Sequence, residues 1–77
     1  MARTLVDVVI HLKEDVGDSA MRRLEQELCA HDGVMSATHK PGRNHLMVVA
    51  YDCGTIGSAN LLAPFATNGL HAQLIGL

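Results

Sequence analysis

The amino-acid sequence predicts a small α+β fold with the element order β-α-β-β-α-β. Three observations predict it. Residues 4–12 and 45–52 alternate in the two-residue period of a half-buried strand and are rich in β-branched side chains. Residues 19–30 repeat apolar positions at the helical period. Between the second and third apolar runs, Lys40-Pro41-Gly42-Arg43-Asn44 has the composition of a tight reversal.

Each element follows in order. Thr4 to Leu12 is the first strand, with Val6, Val8, Ile10 and Leu12 on one face and Leu5, Asp7, Val9 and His11 on the other. Ser19 to Ala30 is the first helix. Asp18 or Ser19 can cap it, with Asp15 nearby. Ala20, Met21, Leu24 and Leu28 form its apolar stripe. Arg22, Arg23, Glu25, Gln26 and Glu27 cover the opposite side. Gly33 closes the helix region. Val34 to His39 and His45 to Asp52 form a hairpin about the Pro-Gly turn. Thr55 to Asn68 reads as a second, poorer helix, with Gly57 near its start and a kink or tightening at Pro64. Leu70 to Ile75 is the fourth strand. This order is the ferredoxin-like sandwich: a four-stranded antiparallel sheet, order 4-1-3-2, with two helices on one face.

Composition bounds what such a domain does. At 77 residues the chain is one domain, 1–77, with a modest core, so a dimer or a protein partner is expected. A net charge of −2 and only two aromatic residues, Tyr51 and Phe65, argue against a nucleic-acid partner. Two cysteines, no apolar run long enough to span a bilayer and no secretory leader pattern point to a reducing cytoplasm. There is no phosphate-binding glycine loop, no carboxylate pair and no nucleophile elbow. Cys53 with His71 as nucleophile and base lacks a pocket, so no enzyme is expected. All 8 acidic and all 6 basic side chains fall in residues 1–52. A solvated helix and strand normally carry several charges, so the uncharged stretch 53–77 suggests a covered surface.

The chain resembles the heavy-metal-associated domain of copper chaperones and metal-pumping ATPases. The resemblance spans residues 6–75 and rests on Leu24-Glu25-x-x-Leu28, on Gly33-Val34, on Tyr51-Asp52 followed by Ile56, and on Leu61-Leu62 with Gly69-Leu70-His71-Ala72. It implies the ferredoxin-like fold and a role in handling soft metals through Met-x-Cys-x-x-Cys after the first strand. Aligned on Leu24-Glu25, those three positions fall on Asp15, Gly17 and Ala20, none of them a thiol. The resemblance therefore implies the fold with the thiol motif lost.

Two candidate sites follow. With strands 1 and 3 expected to run in one direction and strand 4 against them, one end gathers His11, Asp15, Asp18, Asp52, Cys53 and His71. There His11, Cys53 and His71 offer a thiolate and two imidazoles, a set suited to Zn or Cu(II); otherwise no cofactor is expected. On the same expectation His39 and His45 lie at the far end, able to grip a metal across the turn but read as solvated residues, Cys29 lies away from Cys53, and His31 is a partly buried, hydrogen-bonded side chain. The other candidate is the sheet face away from the helices, where Val9, Val48, Ala50, Gln73 and Ile75 form a docking surface. The expected function is non-catalytic, acting by self-association or partner binding. The alternatives are metal binding or delivery through the His/Cys set, and a regulatory domain that takes an organic ligand on the sheet face.

Overall fold

The computed structural model describes residues 5–40, 42 and 44–76. Thr4, Pro41 and Arg43, part of the expected first strand and hairpin turn, lie outside the described residues. Strand β1 runs Leu5–Leu12, helix α1 Asp18–Cys29, β2 Val34–Thr38, β3 Leu46–Asp52, helix α2 Ala63–Thr67 and β4 Ala72–Gly76. A 3-10 segment, Ser58–Leu62, leads into α2. The sheet order is β2-β3-β1-β4, which is the expected 4-1-3-2 read from the other edge.

The alternation in β1 and β3 becomes the inside and outside of the sheet. Val8, Ile10, Leu12, Met47, Val49 and Tyr51 are buried beneath the helices. Met21, Leu24 and Leu28 come down on them from α1, each a helical turn apart. Ile56, Leu61 and Phe65 close the core from the chain segment before and within α2. The wholly buried residues among those described are apolar, Tyr51 apart.

The second helix is shorter than its sequence reading. Pro64 lacks a backbone donor and is tolerated only in the first helical turn, which is where it stands in α2. The residues before it adopt the tighter 3-10 winding. The expected tightening is thus present, but it splits the element. α1 starts after Gly17, with no side-chain cap. Asp15 Oδ1 instead accepts from the Gly17 N–H at 3.2 Å.

The strand directions overturn one expectation. β1 and β3 are antiparallel, with Leu5 beside Asp52 and His11 beside Leu46. The reason is geometric. The α1 crossover returns β2 parallel to β1, and the β2–β3 hairpin then reverses the chain. β4 is also antiparallel to β1, with Leu12 beside Ala72. One end of the domain therefore holds the end of β1, the start of α1, the end of β2, and the starts of β3 and β4. The other end holds Asp52 and Cys53.

Candidate functional site

The His11, Cys53 and His71 set is not brought together. His11 and His71 share one end, but Cys53 follows Asp52, whose strand partner is Leu5 at the start of β1. Six residues of strand, roughly 20 Å, separate the two ends. No cluster of three or more metal-ligating side chains occurs among the described residues. Cys53 and Cys29 are free and exposed, and both lie at the end away from His11, so the expected separation of the two cysteines is also corrected. His31 is exposed, not partly buried.

The antiparallel register instead collects four histidines at the other end: His11, His39, His45 and His71. Two are held by carboxylates. His71 donates from Nδ1 to Glu14 Oε2 at 2.7 Å and from its backbone N–H to Glu14 Oε1 at 3.0 Å. These bonds hold the Glu14 carboxyl below its ordinary range. His39, expected to be solvated, has a side chain only 5% exposed. Its Nδ1 lies 2.6 Å from Glu25 Oε2 and its Nε2 lies 2.7 Å from Asp18 Oδ1. An ionised carboxylate only accepts, so both ring nitrogens donate and the ring is an imidazolium. Asp18 and Glu25 stand two turns apart on α1. His39 therefore clamps the end of β2 to that helix. The signal in the sequence was this i, i+7 pair of acids, which only the α1–β2 packing connects to His39.

The clamp sets a pH dependence. The bond to Glu25, then the bond to Asp18, raises the His39 pKa above its ordinary value near 6.5. Asp18, bonded to His39 and paired with Arg22 at 3.1 Å, is held low. A raised histidine pKa contributes stability that is fully present below about pH 6.5 and is lost as pH rises through the folded value. We expect the urea midpoint to fall as pH rises from about 6.5 through the folded-state value. His39→Ala should flatten that fall and cost about 2 kcal/mol at pH 6. A wild-type profile as flat as the variant's would remove the clamp from the account.

The sheet face away from the helices is open. Thr38, Val48, Val9 and Ile75 make one row across all four strands. Leu46, His11 and Gln73 make the next. Val48 and Ile75 are 44% and 45% exposed, and Ala50 is half-buried beside Asp7. A shallow hollow of about 380 Å³ lies between Val9, Thr38, Lys40, Leu46 and Val48. Charge on this face is segregated. Asp7 and Asp52 stand toward one end, and Lys40 toward the other. β4 is an edge strand, and its sequence Ala72-Gln73-Leu74-Ile75 carries none of the charged or proline residues that usually protect an edge.

Among the described residues no helix is long and apolar enough to cross a membrane. No profile of a known protein family matches the sequence. No curated protein sequence matches it either. Solved structures do match. A candidate copper-ion-binding protein from Bacillus anthracis str. Ames superposes with a TM-score of 0.81 at 11% identity, over 94% of this chain and 100% of that one. Oxidized MerP from Ralstonia metallidurans CH34 gives 0.80 at 13% identity, over 92% of this chain and 97% of that one. A copper binding domain of a P-type ATPase gives 0.79 at 14% identity, over 92% and 95%. The backbone of this chain has the ferredoxin-like fold that these solved structures share.

Proposed function

We propose that this chain is a non-catalytic cytosolic domain of the heavy-metal-associated type that acts by self-association, with the open sheet faces of two copies packed about a two-fold axis. The observation that carries this reading is the charge layout of an apolar face. Val9, Val48, Ala50 and Ile75 form its middle, with Asp7 and Asp52 toward one end and Lys40 toward the other. A two-fold axis running across the strands through the middle sets the acidic end of one copy against the basic end of the next, so in that arrangement the face is complementary to itself. Gln73 and the unprotected β4 edge extend it without adding charge. A stable pair needs about 1,000 Å² of total buried surface, or about 500 Å² per copy. That is roughly a tenth of the 4800 Å² this domain exposes. The uncharged composition of residues 53–77 fits a surface of low mutual repulsion.

Sedimentation equilibrium tests the reading. Gln73→Lys should weaken association by about tenfold, and Val48→Asp, at the centre of the face, by more, because each buries an unpaired charge. Both side chains point away from the core, so the circular dichroism spectrum and melting temperature should be retained. A monomer at millimolar concentration, with both variants behaving identically, would defeat self-association.

A further inference from the structure

We propose that His11 and His45 form a bis-imidazole site for a borderline divalent transition metal, with Cu(II) bound ahead of Zn(II). His11 also lies on the open sheet face, but the site needs no second copy of the chain. His11 is on β1 and His45 immediately precedes β3. The backbone bond from the Leu12 N–H to the His45 carbonyl, 2.8 Å, fixes the two positions side by side. Their ring centroids are 5.7 Å apart with the planes at 88°. A metal held by one imidazole nitrogen at about 2.1 Å sits about 3.2 Å from that ring's centroid, so two imidazoles on one ion have centroids about 4.5 to 6.4 Å apart. The observed spacing falls inside that window.

The two rings are also the ones left over. His39 and His71 are committed to carboxylates, whereas among the described residues neither His11 nor His45 has a side-chain hydrogen bond to an acid. Both are half-buried, which shields a bound ion from full hydration without closing off its entry. In the residue before His45, Asn44 Oδ1 is buried with no hydrogen-bond partner among the described residues. This is an acceptor that a metal-bound water can satisfy. Histidine χ2 is a broad torsion, so turning one ring brings a nitrogen of each imidazole to a common ion at small cost. Two neutral imidazoles and water suit Cu(II), Ni(II) and Zn(II), and the stability order of divalent ions puts Cu(II) first.

The test is Cu(II) titration of the full chain, followed by paramagnetic broadening of amide resonances and by competition with a chelator of known affinity. We expect one ion per chain, broadening centred on residues 11 and 45, and Zn(II) shifting the same resonances. His11→Gln and His45→Gln should each weaken Cu(II) at least tenfold, while His71→Gln and Cys53→Ser bind as the wild type does. The wild-type broadening map stands even if one variant folds poorly. Broadening centred on His31, on His71 or on the chain's amino terminus would overturn the site. So would folded His11→Gln and His45→Gln proteins of undiminished affinity.

Discussion

Phe65→Ala should destabilise the domain by about 3–5 kcal/mol, the largest loss expected of any single core truncation here. Phe65 is the chain's one phenylalanine and is fully buried in α2. Truncating a buried phenylalanine costs about 3–5 kcal/mol, the lost transfer energy plus the cavity left behind. A domain of this length has a total stability of roughly 4–11 kcal/mol, so the loss takes a large share of it. Neighbouring structure cannot offset it. α2 is 5 residues long, too short to hold its own winding, and it stays in place because Leu61 and Phe65 are buried under it. Phe65→Leu, which keeps most of the volume, should cost less than about 1.5 kcal/mol. Thermal unfolding followed by circular dichroism separates the two. If alanine costs no more than leucine, the segment from Ser58 to Thr67 is not packed as described.

The same segment shows where the sequence was legible and where it was not. β1 and α1 could be read because each has one apolar face at the correct period, and both faces went to the core as the pattern requires. The sheet order followed from the element order alone. The second helix was read too long because residues 55–68 are apolar without a clear helical stripe, and composition cannot say where a proline will let an α-helix begin. The candidate site was misread for another reason. Whether Cys53 or His45 lies beside His11 depends on the direction of β3, and taking that direction as parallel put Asp52 and Cys53 at the His11 end and His45 at the far one, while His71 was placed correctly. With the hairpin reversal applied, His11, His45 and His71 fall together from the element order alone. The His39 clamp was hidden more deeply, since it depends on which face of α1 the end of β2 meets. The open sheet face was legible residue by residue, because the alternation that buries Val8 and Val49 necessarily exposes Val9 and Val48.

Gly33→Ala should cost about 3 kcal/mol, most of it from one close approach. Gly33 has φ +94°, a conformation that costs an L-residue about 1–2 kcal/mol. A Cβ there would also meet Ile56 Cγ2 at 2.9 Å and the Thr55 side chain at 3.0 and 3.1 Å. Overpacking of this kind adds about 1–3 kcal/mol. Neither neighbour can easily retreat. The Gly33 carbonyl accepts the Asp52 N–H at 2.7 Å, and the Thr55 and Ile56 N–H groups both bond to the Asp52 carbonyl. Asp52 Oδ1 and Oδ2 accept in turn from the Gly54 N–H and the Thr55 hydroxyl. The turn after β3 is thereby drawn onto the turn after α1, and Ile56 is carried into the core between them. Gly69 supplies the control. Its φ is +75°, yet nothing lies within 4 Å of a Cβ placed there, so Gly69→Ala should show the backbone cost alone, about 1 kcal/mol. Urea denaturation of both variants measures the difference. Equal losses would mean that the turn after β3 yields freely, and that Gly33 is required for its backbone conformation and not for the contact it permits.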